Sequence, residues 1–163
     1  MEQLASGYGL IEGPVWDPER GLLFSDVTFG GVHCLPASGA VETVFAHRRG
    51  IGGMALHEAG GLIVSGRNIG FKSFGGGDTT VLLSNDVADE VVGFNDLTTD
   101  AAGRIYAGSL AFKAVEPGAS GKPGYLHMID LDGTVRTLAA GIELSNGLGV
   151  SPDGTRLYHS DSL

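Results

Sequence analysis

The chain has 163 residues, of which 42% are hydrophobic and 18% charged, and its formal net charge at pH 7 is −9. This length predicts a single domain, and the hydrophobic fraction is large enough for a packed core. The 10 Lys and Arg residues are scattered among 19 Asp and Glu residues. That distribution argues against a nucleic-acid partner, because binding to phosphates needs basic residues clustered on one surface.

The N-terminus shows no targeting segment. Residues 1–10 contain no basic residue and no apolar run of signal-peptide length, and nowhere do 18 apolar residues follow one another. Cys34 is the only cysteine, which excludes an intramolecular disulfide and fits a reducing compartment. We therefore expect a cytoplasmic protein without a membrane partner.

Four segments of the chain resemble one another, and each is predicted to form a strand, a tight turn and a second strand. They are residues 14–26, 54–65, 94–108 and 146–161. Their turn glycines are Gly21, Gly61, Gly103 and Gly154, which follow one another at intervals of 40, 42 and 51 residues. Intervals of this length are typical of four-stranded propeller blades.

A second hairpin is predicted between these segments. Residues 31–45 and 124–138 have alternating apolar residues around a turn, and the later turn is Asp132-Gly133, a strong hairpin signal. Two hairpins in each interval make one blade, so the sequence predicts an all-β propeller of four-stranded blades. The chain holds about three and a half blades, whereas closed propellers have 4–8.

This arithmetic predicts that residues 1–163 are a single incomplete β-propeller domain. We expect them to be the N-terminal part of a longer propeller or a truncated product. The last predicted hairpin would then lie at an open edge. Because unpaired strands are templates for association, we expect self-association through this open propeller edge.

The residues that begin the first strand of each repeat are candidates for a site. They stand eight or nine positions before the turn glycine and are Glu12, Gly53, Asn95 and Asn146. First strands line the central channel of a propeller, so these residues should converge at one end. One carboxylate and two amide oxygens suit Ca²⁺, Mg²⁺ or Mn²⁺, and Zn²⁺ also accepts them. The alternative is that they only cap strand entries and begin turns.

The sequence also predicts how Asp96 and two glycines next to these residues are arranged. Asp96 follows Asn95 and should point away from the channel if the strand alternates, which would leave it a supporting role. Gly147 and Gly149 flank Leu148. We expect at least one of these glycines to have a positive φ or to let the backbone approach the channel closely.

Three motifs follow one another along the chain. They are Glu12-Gly13-Pro14-Val15-Trp16-Asp17, residues 94–108 with Phe94-Asn95-Asp96, and residues 145–162 with Ser145-Asn146-Gly147-Leu148. Together they resemble the gluconolactonase, regucalcin (senescence marker protein) and luciferin-regenerating-enzyme family. The resemblance implies a six-bladed propeller with a divalent cation in its central channel. It also implies an activity, because many members hydrolyse sugar lactones or related esters.

The resemblance gives roles to individual residues. Glu12 and Asn146 match metal ligands of the family. Asn95 matches an Asn that binds substrate in the regucalcin branch and metal in related phosphotriester-hydrolysing propellers. The family's remaining metal ligand and general base is an Asp expected beyond Leu163, so the catalytic base is not identified in this chain. The regucalcin branch has an Arg where this chain has Gly93, so we expect substrate recognition to differ there.

These observations predict a divalent-metal-dependent hydrolase of sugar-type lactones, with the cation as Lewis acid and a carboxylate as base. Ca²⁺ is the favoured cofactor, with Zn²⁺, Mg²⁺ and Mn²⁺ as alternatives, and the partner is a small lactone or ester. Three other functions stay open. They are hydrolysis of phosphotriesters or other esters at the same site, non-catalytic calcium binding, and a remnant with neither activity.

Overall fold

The computed structural model describes residues 2–46, 48–88, 90–114, 116–130 and 132–163. These residues form three four-stranded sheets and one two-stranded sheet, all antiparallel. Within the described ranges, no helix is long and apolar enough to cross a membrane. The predicted all-β class with four-stranded sheets is confirmed, and the number of blades in the whole propeller stays a prediction.

The first two sheets each contain four strands in chain order. Those of the first sheet are β1 (Ile11–Asp17), β2 (Gly21–Asp26), β3 (Val32–Leu35) and β4 (Glu42–Phe45). Those of the second sheet are β5 (Met54–His57), β6 (Gly61–Val64), β7 (Ile69–Ser73) and β8 (Thr80–Leu83). Consecutive hairpins produce this order, because each strand pairs with the one that follows it.

The third sheet repeats the order, and the fourth contains a single hairpin. Their strands are β9 (Gly93–Thr99), β10 (Ile105–Leu110), β11 (Gly124–Ile129), β12 (Val135–Ile142), β13 (Ser145–Val150) and β14 (Leu157–Asp161). The predicted turn at Asp132-Gly133 does join β11 to β12. Among the described strands, β14 pairs only with β13, and its Tyr158 is 58% exposed.

The first strands of successive sheets lie side by side. β1 contacts β5, β5 contacts β9, and β9 contacts β13. The first three sheets then continue outwards through their second, third and fourth strands, and the fourth sheet through β14. This is the arrangement of propeller blades around an axis. We call β1, β5, β9 and β13 the inner strands, and their starts lie near one another.

Apolar side chains fill the two spaces between the first three sheets. Leu23, Val32 and Leu62 lie between the first and second sheets. Ile63 and Phe94 lie between the second and third. Every residue of β6 is buried because successive side chains of this strand enter opposite layers. A continuous apolar run, rather than an alternating one, is therefore the pattern of a strand packed on both faces.

A buried serine stands near the end of the second strand in each four-stranded sheet. Ser25, Ser65 and Ser109 are all 0% exposed. The Ser25 hydroxyl lies 3.0 Å from the carbonyl oxygen of Glu12 and 2.7 Å from that of Ile51. It therefore connects the start of β1 to the segment that leads into β5.

Ser65 holds the same segment from the other side. Its hydroxyl oxygen accepts hydrogen bonds from the backbone N–H groups of Gly52 and Gly53, at 3.1 and 2.8 Å. Both glycines are buried, so neither N–H group can turn to water instead. The entry to the second inner strand is thus fixed by side-chain hydrogen bonds inside the core.

Ser65→Ala should lower the free energy of unfolding by roughly 2–4 kcal/mol, because it leaves two buried N–H donors without an acceptor. Ser38→Ala is the matched control, since Ser38 is exposed and its change should stay within about 0.5 kcal/mol. Denaturant unfolding followed by circular dichroism measures both. Equal stability of the two variants would show that the Ser65 bonds contribute nothing.

Candidate metal and substrate site

Three of the inner strands contain β-bulges close to their first residues. In β1 the pairing shifts directly after Glu12. In β9, Asn95 and Asp96 lie together opposite Gly108, and in β13 the extra residue is Gly147. A bulge bends the strand and re-aims its side chains. Simple alternation therefore does not decide which side chains reach the site.

Asn95 and Asp96 both reach the entry of β13. The Asn95 side-chain nitrogen Nδ2 donates to the carbonyl oxygen of Ser145 at 2.8 Å. The Asp96 carboxylate accepts hydrogen bonds from the N–H groups of Leu97, at 2.8 Å, and Gly147, at 2.7 Å. The expectation that Asp96 points away from the channel is wrong, because the bulge removes the alternation on which it rested.

Gly52 and Gly53 leave the space that these two side chains occupy. A Cβ atom on Gly52 would lie 2.2 Å from Oδ1 of Asn95, and one on Gly53 would lie 2.7 Å from Oδ1 of Asp96 and 2.6 Å from the Leu97 nitrogen. All three distances are shorter than van der Waals contact. The second inner strand therefore contributes close backbone packing at this position, where the other inner strands place Glu and Asn.

Asn146 lies beside the contact between the third and fourth sheets. Its Nδ2 donates to the hydroxyl oxygen of Ser162 at 3.3 Å, which leaves Oδ1 without a donor among the described residues. Gly147, the next residue, has φ of 68°, which confirms that a glycine shapes this turn. The turn brings the Gly147 N–H group to the Asp96 carboxylate.

Asp161 fixes the approach to Asn146 from the other strand of the hairpin. Its carboxylate accepts hydrogen bonds from the N–H groups of Leu144 and Glu143, at 2.8 and 3.0 Å. These backbone hydrogen bonds lower the pKa of Asp161. Asp26 holds the Gly9 N–H group in the same way at the end of β2. Both carboxylates are thus used in positioning the segments that lead into inner strands.

Glu12 and Asp96 share a cavity of about 310 Å³, which Met54 and Leu148 also line. Burial raises the pKa of Glu12, and the negative charge of Asp96 raises it further. The Glu12 carboxylate makes no hydrogen bond or ion pair with any described residue. A cavity with two carboxylates and no basic partner for Glu12 favours a bound cation.

Side-chain oxygen atoms of the kind that divalent cations bind are available near the starts of the inner strands. Asn95 and Asn146 use their amide nitrogens for hydrogen bonds, and their Oδ1 atoms accept none from described residues. No three His, Cys, Asp or Glu side chains of the described ranges come together as a metal-binding group. A cation here would therefore depend on amide oxygens as well as carboxylates. That the oxygens of Glu12, Asn95 and Asn146 meet at one point stays a prediction.

The family described as "SMP-30/Gluconolactonase/LRE-like region" matches residues 10–163. The chain belongs to this family. A 6-deoxy-6-sulfogluconolactonase of Pseudomonas putida is 34% identical over 156 residues, which are 94% of this chain and 52% of that protein. The pentonolactonase XacC of Haloferax volcanii is 31% identical over 159 residues, 94% of this chain and 50% of that protein.

Solved structures agree with the family. A gluconolactonase from Xanthomonas campestris matches with a TM-score of 0.82 and 23% identity, over 98% of this chain and 57% of its own. Regucalcin from Agrobacterium tumefaciens, a calcium-binding protein, matches with a TM-score of 0.76 and 22% identity, over 97% and 52%. At these identities the likeness shows the fold. The chain spans about half the length of the curated relatives that it matches.

Gly53→Ala should lower the free energy of unfolding by about 1–3 kcal/mol or more, because the new methyl group meets the backbone of β9 and forces the second and third sheets apart. Gly149→Ala is the matched control, since a Cβ atom there would have no neighbour within 4 Å and Gly149 has no positive φ. Thermal unfolding measures both variants. An unchanged Gly53→Ala variant would mean that the inner strands adjust freely.

Asp96→Asn should lower the pKa of Glu12 part of the way towards its ordinary value, because it removes the nearby negative charge but leaves the burial that is the larger cause. A carbon NMR titration of the Glu12 carboxyl group measures this. Asp78→Asn, which removes an exposed charge in a loop, should leave the Glu12 titration unchanged. An identical titration in Asp96→Asn and the parent would show that the two carboxylates do not interact.

Proposed function

We propose that this chain supplies part of the active site of a divalent-cation-dependent hydrolase of sugar lactones. The observation that carries the proposal is that Asn95 and Asp96 hydrogen-bond to Ser145 and Gly147, while Asp96 also shares a cavity with Glu12. Two relatives named as a pentonolactonase and a 6-deoxy-6-sulfogluconolactonase support the substrate class.

Glu12, Asn95 and Asn146 would hold the cation, as family resemblance also implies. We favour Ca²⁺ because the three side chains offer only oxygen atoms, and two of them are neutral amide oxygens. Zn²⁺, Mg²⁺ and Mn²⁺ are the alternatives to compare. When bound, the cation would supply Lewis-acid stabilisation of the negative charge that develops on the lactone carbonyl oxygen.

The chain's own residues have distinct roles in this proposal. Glu12 supplies the negative charge that faces the cavity without a protein partner. Asp96 is a positioning residue, because its hydrogen bond to the Gly147 N–H group fixes the turn that carries Asn146. Asn95 is also our candidate for contacting the substrate, since its Oδ1 atom is free while Nδ2 anchors the side chain to Ser145.

The proposal also covers the domain organisation, the self-association and the cellular location of the chain. Residues 1–163 would be a single incomplete β-propeller domain, contributing about three and a half blades to a six-bladed propeller. The exposed edge at β14, with Tyr158 beside it, would be the surface for self-association when this chain is alone. A cytoplasmic location is part of the same proposal, and the free, buried thiol of Cys34 is compatible with it.

Hydrolysis of a panel of aldonolactones, followed by proton release, tests the activity. Because the general base is expected beyond Leu163, the assay uses the complete propeller that contains residues 1–163, and we expect its turnover to disappear with a chelator and return with added divalent cation. Glu12→Gln should lower kcat/KM about 100-fold or more because it removes the unpaired carboxylate, and Asn95→Asp should lower it less because it adds a carboxylate. Glu58→Gln, an exposed change in a turn, is the matched control and should have no effect.

Other outcomes would point to the other functions. Lactone hydrolysis that neither the chelator nor Glu12→Gln alters would contradict the cation-dependent mechanism. Turnover of phosphotriesters or aryl esters in preference to lactones would favour the alternative substrate class. Cation binding by calorimetry, without hydrolysis of any of these compounds, would favour a non-catalytic calcium-binding propeller.

A further inference from the structure

A second cavity, of about 470 Å³, adjoins the candidate site. Gly52 lines both cavities, and the neighbours Asn95 and Asp96 line one each. The two cavities therefore meet at Gly52 and at the adjacent residues Asn95 and Asp96. A molecule whose reacting group lies near Glu12 and Asp96 would extend the rest of its skeleton into the second cavity.

The charged side chains around this second cavity are all basic. Arg49, Arg67 and Lys113 line it, and no acidic residue is among its described lining. The side chains of Arg49 and Arg67 make no hydrogen bond or ion pair with a described residue. Lys113 contacts Glu116 at 3.0 Å, but both side chains are exposed, and such pairs contribute little. The lining of this cavity is thus positively charged, although the chain as a whole has a net charge of −9.

Neutral hydrogen-bonding groups are scarce in the same cavity. Asn95 is the one neutral polar side chain of its described lining, and much of the rest is apolar. The backbone N–H groups of Gly52, Gly66 and Phe94 already donate to protein oxygen atoms. Few groups are therefore left to recognise the hydroxyls of a sugar. The two arginines are the strongest free donors that a ligand would meet.

We propose that the substrate carries an anionic group on the part of its skeleton remote from the lactone carbonyl, and that Arg49 and Arg67 bind this group. A carboxylate, a phosphate and a sulfonate share the required chemistry, because each offers oxygen atoms that an arginine contacts with two parallel N–H bonds. The proposal rests on the proposed function, since it names the substrate class of the same site.

Lactones that differ only at C6 provide the test. The series consists of D-glucono-1,5-lactone with the ordinary C6 hydroxyl, its 6-phosphate and its 6-deoxy-6-sulfonate, with D-glucaro-1,5-lactone as the carboxylate arm. We expect kcat/KM to be about 10- to 100-fold higher for the anionic compounds than for the neutral lactone. The preference should weaken as salt is added, because exposed charges are screened.

Variants connect the preference to the two arginines. Arg49→Ala and Arg67→Ala should each lower the ratio of kcat/KM for the 6-phosphate to that for the neutral lactone, and the double variant should bring this ratio close to one. Arg67→Lys should keep part of the preference, because it keeps the charge but loses the two-bond contact. Arg156→Ala, an exposed arginine outside the cavity, is the matched control and should leave the ratio unchanged.

A binding measurement separates this inference from the proposed function. Calorimetry measures the affinities of 6-phosphogluconate and gluconate. These are binding measurements, so they do not depend on hydrolysis. Tighter binding of 6-phosphogluconate that the double variant abolishes supports the anion site even if no lactone is hydrolysed, a result that would defeat only the proposed function. Equal affinity for the two compounds, or equal kcat/KM across the C6 series, would overturn the inference and leave the proposed function standing.

Discussion

Two buried serine hydroxyls hold the segment Ile51-Gly52-Gly53, and the candidate site is assembled against this segment. Ser25 reaches the Ile51 carbonyl oxygen, and Ser65 binds both glycine N–H groups. Because the glycines have no side chains, β9 packs directly on their backbone and carries its polar residues inwards. Loss of a hydrogen bond inside a core costs free energy. A displacement of this short segment would therefore disturb its contacts with the first, second and third sheets.

The buried carboxylates of the turns and the Glu12 carboxylate at the candidate site have pKa values that are shifted in opposite directions. Burial opposes ionisation of Asp17 and of Asp100, yet hydrogen bonds from Arg20 and Arg104 help to lower the pKa of each. Both carboxylates also accept hydrogen bonds from backbone N–H groups of their own turns, which they stabilise. Glu12 has no such partner in the part of the chain that the structure describes, and burial raises its pKa. The carboxylates of the turns are therefore neutralised by residues of the fold itself, and the Glu12 carboxylate is the one that our proposal assigns to a bound cation.

Periodicity in the sequence predicted the hairpins, the sheets and the residues that begin the inner strands, since glycine spacing and alternation are local signals. It failed at Asp96, where a bulge opposite Gly108 turns two successive side chains towards the same neighbour. A register shift depends on how two strands pair, and neither strand alone reveals it. The presence of Arg49 and Arg67 in the lining of one cavity was missed for a related reason, because both lie in connections whose course only the packed sheets determine.

The hydrogen bond between Asp96 and the Gly147 N–H group joins two sheets as well as two residues. Together with the bond from Asn95 to Ser145, it means that the fourth sheet cannot separate from the third while the site stays intact. Local opening of the hairpin and loss of the ligand arrangement are then a single event. Amide hydrogen exchange at Gly147 would report how often that event occurs, and any ligand that needs the assembled site would slow it.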